Sequence, residues 1–294
     1  MFTGSIPALV TPMRADGSID FAAWDRLLDF HVESGTDGVV VGGTTGESPT
    51  LERSELEELI RRAKARLAGR LPVMAGSGSN STAKSIALSR AAQAAGADAL
   101  LLVTPYYNKP TQEGLFRHFS AIADAVGIPV YLYNVPGRTG CDMLPATIVR
   151  LSAHPRIVGV KEATGDIARA RPILEGAKPG FVLLSGDDPT APELMEHGAT
   201  GVISVTANVA ARAMHELCAA ALTQRHTEAA AINERLMPLH KAMFLESNPI
   251  PVKWATARLG LIGEGIRLPL TPLSEAYRAD LLKAMRAAGI QPVA

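Results

Sequence analysis

Short apolar runs alternate with longer amphipathic stretches along the first three quarters of the chain. The runs Ile6–Val10, Gly38–Val41, Val73–Ala75, Ala99–Val103, Val130–Tyr133, Val158–Lys161, Val182–Ser185 and Gly201–Ser204 are largely apolar, the pattern of strands buried on both faces. Between them, Phe21–Ser34, Leu51–Leu67, Thr82–Ala95, Gln112–Val126 and Pro145–Leu151 repeat apolar residues at helical spacing. Asp20 and Ser81 stand where a side chain can accept orphan amide hydrogens at a helix start. Gly35, Gly69, Gly96 and Gly127 stand where left-handed caps would end helices. Eight strands, each followed by a helix, predict a parallel sheet with crossover connections, and eight such units predict a closed (β/α)8 TIM barrel. An open doubly wound sheet is the alternative, but no Gly-x-Gly-x-x-Gly turn follows the first strand.

After the eighth run the alternation stops. From about Asn208 only helical patterns remain, broken by Pro238, by Pro249 and Pro251, and by Pro269 and Pro272. The expected organisation is a barrel with the active site over 1–225, then a small all-helical C-terminal domain over 226–294 that serves packing or assembly.

Composition narrows the function classes. The 294 residues carry 29 basic and 29 acidic side chains, so no field favours nucleic acid or a membrane surface. No apolar run approaches the roughly 20 residues of a membrane span, and the start, Met1-Phe2-Thr3-Gly4-Ser5, lacks a leader pattern. Two cysteines, Cys141 and Cys218, suit a reducing compartment, and a cytoplasmic protein is expected. Seven scattered histidines show no HxH or HExxH spacing, so metal catalysis is not expected.

The candidate chemistry sits at the carboxyl ends of the strands, where a barrel of this type builds its active site. Lys161 ends the apolar run Ile157-Val158-Gly159-Val160. An amine held among apolar side chains is favoured in its neutral form, which attacks carbonyls. Four of the five tyrosines, Tyr106, Tyr107, Tyr131 and Tyr133, lie in or beside two strand ends, which points to a local use. Tyr131 and Tyr133 share one face of their strand, and Lys161 ends the next one within side-chain reach. The turn Gly42-Gly43-Thr44-Thr45-Gly46-Glu47 is either an ordinary glycine turn or a cradle of amides and hydroxyls for an anion. Arg138 is either a surface arginine or a bidentate grip on a carboxylate. Asp187 and Asp188, between Gly186 and Pro189, read as a turn that starts a helix, and Cys141 reads as structural.

Together, Gly-Gly-Thr-Thr-Gly-Glu at 42–47, Thr-Pro-Tyr-Tyr-Asn at 104–108, Tyr-Asn-Val-Pro-Gly-Arg-Thr-Gly at 133–140 and Val-Lys-Glu-Ala-Thr at 160–164 give a specific signature. The chain resembles, essentially end to end, the dihydrodipicolinate synthases of the pyruvate-dependent class I aldolase superfamily. That resemblance implies a Schiff base between Lys161 and pyruvate, and a proton passed by Tyr133 and relayed through Thr44 and Tyr107. Tyr107 would come from a neighbouring subunit, within a homotetramer. Thr45 and the carbonyl of Ile203 would position pyruvate, and Arg138 would hold the carboxylate of L-aspartate 4-semialdehyde. Sialic acid lyases and 2-keto-3-deoxy sugar acid aldolases share the lysine and tyrosine, but usually lack the Gly-Arg-Thr-Gly turn. A non-catalytic barrel would be expected to lose Lys161, Tyr133 or Thr44.

The resemblance also implies an inhibitory lysine site between subunits, to which Ser48, Pro49, Asn80, Lys84 and Tyr106 correspond. Arg53 and Leu56 replace the family's usual histidines there, and Lys84 stands where a glutamate would meet the inhibitor's ammonium. Weak or absent inhibition by L-lysine is the expectation.

Overall fold

A computed structural model describes residues 2–293; Met1 and Ala294, the outer ends of the two expected domains, lie outside the described residues. Eight strands alternate with helices: β1 (Gly4–Pro7), α1 (Phe21–Glu33), β2 (Val39–Val41), α2 (Arg53–Leu67), β3 (Val73–Gly76), α3 (Thr82–Ala94), β4 (Ala99–Val103) and α4 (Gln112–Asp124). They continue as β5 (Val130–Asn134), a helical turn α5 (Pro136–Thr139), α6 (Pro145–Ser152), β6 (Ile157–Glu162), α7 (Ala170–Gly176), β7 (Val182–Ser185), α8 (Ala191–Glu196), β8 (Gly201–Ser204) and α9 (Ala211–Leu222). Three further helices follow, α10 (His226–Ala242), α11 (Ile250–Arg258) and α12 (Glu275–Ala287).

The strands form one parallel sheet in the order β1-β8-β7-β6-β5-β4-β3-β2. The ring closes where Ala8 bridges Val40 and Leu9 N donates to Val40 O at 3.0 Å. Alternate side chains then pack in two layers, as the period of a strand dictates. Ile6, Val40, Met74, Leu101, Tyr131, Leu184 and Ile203 fill the barrel interior. Their neighbours, among them Val39, Val41, Leu100, Leu102, Leu132 and Leu183, pack outward against the helices. That outer layer runs on through Leu236, Leu239, Trp254 and Leu281 of the last three helices, so the C-terminal region shares the barrel's core. Among the described residues no helix is long and apolar enough to cross a membrane.

Local signals act as their chemistry suggests, with three exceptions. Asp20 caps α1 by accepting from Ala23 N at 3.0 Å, and Ser81 caps α3 through Lys84 N. Gly35, Gly69 and Gly96 take positive φ after their helices, but Gly127 does not; its amide instead donates to the Gln93 side chain at 2.6 Å. Pro238 does not break a helix: it lies inside α10. Pro238 and Glu234, four residues earlier, are both exposed, so the carbonyl left without a donor faces water, while Leu236 and Leu239 pack inward. The first strand also starts and ends earlier than its apolar run, because Gly4 and Ser5 pair with Gly201 and Val202, and Val10 N turns to the Asn208 side chain.

Candidate active site

Tyr133 and Lys161 are register partners on adjacent strands, so both side chains leave the same face at the carboxyl-end mouth of the barrel. The Lys161 ammonium lies 4.2 Å from the centroid of the Tyr133 ring. Lys161 is only 6% exposed, and no hydrogen bond or ion pair to its Nζ is present among the described residues. Its aliphatic stem passes Gly186, where an added Cβ would stand 2.8 Å from Lys161 Cε and 2.5 Å from Ala163 Cβ. A glycine therefore clears the space that the lysine occupies.

The Gly42–Glu47 segment folds into a tight turn whose amides at Gly46, Glu47 and Ser48 donate back to Gly43 and Thr44 carbonyls at 3.0–3.2 Å. A Cβ at Gly46 would lie 2.9 Å from Leu9 O, so only glycine lets the turn close on the segment just after β1. The amides of Thr44 and Thr45 find no protein acceptor among the described residues. Both residues line a cavity of about 150 Å³ together with Tyr133, Arg138, Lys161, Gly186, Asp187 and Asn248. At roughly 30 Å³ per water this volume suits a small organic acid. The α5 turn delivers Arg138 to the rim of that cavity, where its Nη2 donates to Asn248 O at 3.1 Å.

Four of the expected site residues, Thr44, Thr45, Tyr133 and Arg138, thus surround Lys161. The others stand differently. Ile203 does not line the cavity, because its side chain packs in the barrel interior across from Ile6, which leaves only its main chain toward the strand end. Tyr107 is 89% exposed, has a left-handed φ of 75°, and does not line this cavity. Tyr131 belongs to the core and not to the site, since its hydroxyl accepts from Phe2 N at 3.3 Å deep in the barrel. Asp187 holds the turn before α8 by accepting from Thr190 N at 3.2 Å and from its hydroxyl at 2.7 Å. Asp188 accepts from Val205 N and Thr206 N, both at 2.9 Å, and so pins the loop after β8. Burial pushes the Cys141 thiol up from its ordinary pKa, as befits a structural cysteine. No group of three or more potential metal ligands occurs among the described residues.

A match to the family model described as Dihydrodipicolinate synthetase spans residues 1–288. The chain belongs to the dihydrodipicolinate synthetase family. It is 59% identical over 290 residues to the 4-hydroxy-tetrahydrodipicolinate synthase of Stutzerimonas stutzeri (strain A1501), covering 99% of each chain. Among solved structures it is similar to the chloride-inhibited dihydrodipicolinate synthase from Acinetobacter baumannii complexed with pyruvate. That match has a TM-score of 0.97 and 51% identity over 99% of this chain and 100% of the other. A dihydrodipicolinate synthase from Cyanidioschyzon merolae with lysine bound superposes with a TM-score of 0.95 at 40% identity over 99% of each chain.

In this family member a second cavity, of about 670 Å³, adjoins the first, and the two share Thr44, Ser48 and Arg138 in their linings. Ser48, Pro49, Lys84 and Tyr106 line it, with Arg53 and Leu56 beside them; Asn80 does not, although its carbonyl accepts from Asn108 Nδ2 at 2.8 Å. The apolar pattern gave no hint of the contacts made by the last helices. Asn248 Nδ2 donates to Thr45 Oγ1 at 3.0 Å, across 203 residues of chain. Lys253 forms a buried ion pair with Glu47, whose φ is 60° and whose other oxygen accepts from Arg267 N at 3.1 Å. Burial pulls the Lys253 amine below the usual lysine pKa, and the Glu47 charge opposes it. Behind Lys161, on the outer face of β6, Glu162 meets Arg169 at 3.1 Å; burial nonetheless pushes its carboxyl above the ordinary range.

Proposed function

We propose that this chain condenses pyruvate with L-aspartate 4-semialdehyde to give 4-hydroxy-2,3,4,5-tetrahydrodipicolinate and water, in the diaminopimelate route to L-lysine. The observation that carries this reading is a buried Lys161, without an ion-pair partner among the described residues, against Tyr133 and ringed by Thr44, Thr45 and Arg138. The neutral Lys161 amine attacks the ketone carbon of pyruvate, and loss of water leaves an iminium. The iminium nitrogen is the electron sink when the methyl group gives up a proton, so the step needs no metal or organic cofactor. The resulting enamine attacks the aldehyde; the substrate's own amine then displaces Lys161, closing the ring and freeing the enzyme.

Tyr133 carries the protons, relayed through Thr44 and the partner subunit's Tyr107. The high exposure of Tyr107 in the single chain supports its use by a neighbour in a homotetramer. The free amides of Thr44 and Thr45, the Thr45 hydroxyl and the carbonyl of Ile203 position pyruvate. Arg138, a fork at the cavity rim, takes the carboxylate of the aldehyde, which favours this substrate over the long sugar acids of related aldolases. Residues 1–225 form the catalytic barrel, residues 226–294 a helical domain on it, and the enzyme works in the cytoplasm. L-Lysine inhibits it weakly or not at all, because Lys84 and Arg53 line the cavity that would receive a cationic effector.

Borohydride reduction with pyruvate, followed by peptide mapping, tests the reading. A stable adduct on the peptide containing Lys161 is expected; an adduct elsewhere, or none, rejects it. Turnover with aspartate semialdehyde but not with N-acetylmannosamine separates this reaction from a sialic acid lyase.

A further inference from the structure

We propose that Asn248, in the segment leading into α11, is a positioning residue that fixes the direction of the Thr45 hydroxyl and the place of the Arg138 guanidinium. The inference rests on the reading of Thr45 and Arg138 given above and adds a residue that the barrel does not contain. Asn248 is 5% exposed and Thr45 2%, so the hydrogen bond between them is shielded from water. Its direction matters. With Nδ2 donating, the Thr45 oxygen is an acceptor, and its own proton is left to donate to an incoming carboxylate. In the opposite amide orientation Thr45 would spend its proton on Asn248 and present only lone pairs to an anion. An asparagine donor thus sets the hydroxyl for a negatively charged substrate before that substrate arrives. The main-chain oxygen of the same residue accepts from Arg138 Nη2, so one residue holds both carboxylate-binding groups.

The anchor of this clamp lies five residues on. The buried ion pair of Lys253 with Glu47 fastens the start of α11 to the other end of the same turn. Thr45 and Glu47 are therefore gripped together from outside the barrel. Glu47 keeps a left-handed backbone that a non-glycine residue rarely adopts, and such a conformation persists only where surrounding contacts fix it.

The test compares Asn248→Ala, Asn248→Asp and Thr45→Val by steady-state kinetics in both substrates. Removing the donor frees the hydroxyl to rotate, and the KM for pyruvate in Asn248→Ala should rise by roughly 3–10-fold. Aspartate at this position would take the Thr45 proton and face pyruvate with a like charge, so its KM for pyruvate should rise ~30-fold or more. In both variants the KM for the aldehyde should stay within about twofold, because the main-chain oxygen still holds Arg138. In a Thr45→Val background, Asn248→Ala should add nothing, since its effect acts through the hydroxyl. A merely structural role would lower kcat and shift both KM values together, and that result would overturn the proposal. So would an Asn248→Asp enzyme with wild-type KM for pyruvate, or effects that multiply in the double variant. Failure of the underlying reading looks different: wild-type protein itself would give no borohydride adduct with pyruvate.

Discussion

Alanine at Gly186 is expected to cripple turnover by displacing Lys161, with little damage to the fold. The added Cβ would lie 2.8 Å from Lys161 Cε and 2.5 Å from Ala163 Cβ, where ordinary contacts begin at 3.4 Å. Ala163 offers no rotamer by which to retreat. Gly186 N donates to Glu162 O at 2.7 Å, which pins the turn on the other side. The lysine tail is the part able to give, and relief of its contact needs a shift of at least 3.4 − 2.8 = 0.6 Å. A misplacement of about 1 Å at a reacting group costs on the order of 10²-fold in rate, so a loss of roughly 30- to 100-fold in kcat is expected. Overpacking of this size costs about 1–3 kcal/mol of stability, which leaves a folded protein to measure. The φ of Gly186 lies outside the left-handed region, so the effect is steric and not a backbone penalty.

Gly137→Ala supplies the control, because nothing lies within 4 Å of a Cβ built there and its φ is also permissive. Initial rates with both substrates, thermal melting and the rate of borohydride adduct formation with pyruvate should be measured on the two variants together. Gly186→Ala should form the adduct slowly and stay folded with a lowered melting temperature, while Gly137→Ala should match the wild type in both. If Gly186→Ala kept kcat within about threefold, the lysine would not occupy the space the glycine clears, and the placement of the reactive amine would be refuted.

Three further outcomes follow from buried or facing charges. Lys253→Met leaves the Glu47 carboxylate buried without its partner and should cost about 3–5 kcal/mol in urea unfolding, most of it restored in Glu47→Gln/Lys253→Met; a double variant no more stable than Lys253→Met would refute this account. His31 and His118 are held neutral by burial, which pushes their pKa down to about 3 and about 4. Each therefore contributes stability above its unfolded value near 6.5, and that stability is lost as pH falls toward the folded value, by about 1.4 kcal/mol per pH unit per histidine. Urea midpoints at pH 7, 6 and 5 should show a shallower decline in His31→Gln than in the wild type; equal slopes would refute the assignment. L-Lysine below millimolar concentration should leave the rate unchanged, and Lys84→Glu should make the enzyme more sensitive, since a like charge at about 4 Å costs on the order of 1–4 kcal/mol; strong inhibition of the unaltered enzyme would overturn this.

The barrel was legible because each strand is apolar on both faces, and an even alternation with helices admits few other closures. The partnership of Lys161 with Tyr133 was legible too, since both end neighbouring strands and the period of two fixes their face. Depth within the barrel was not: Tyr131 shares that face, but two residues along a strand is about 6.6 Å, enough to move it from the mouth into the core. Nor did helical periodicity say where the last helices dock. The contacts of Asn248 with Thr45 and of Lys253 with Glu47 span 203 and 206 residues, and each depends on tertiary packing that no local pattern encodes. Pro238 misled because a proline's local cost depends on whether the carbonyl it leaves free can reach water.

Two lysines in this molecule are almost fully buried, and their surroundings assign them opposite work. Lys253 has its charge matched by Glu47, so burial there is compensated and the amine serves to fasten α11 to the barrel. Lys161 lies over the ring of Tyr133 and carries no carboxylate partner among the described residues. A paired ammonium would have to break an ion pair before it could attack a carbonyl, and the stabilisation of that pair would be added to the barrier. An amine without a counter-ion has no such pair to break before it attacks. The distinction depends on the partner and not on the degree of burial, and it supports the proposed roles of Lys161 as the reactive group and of Lys253 as the structural one.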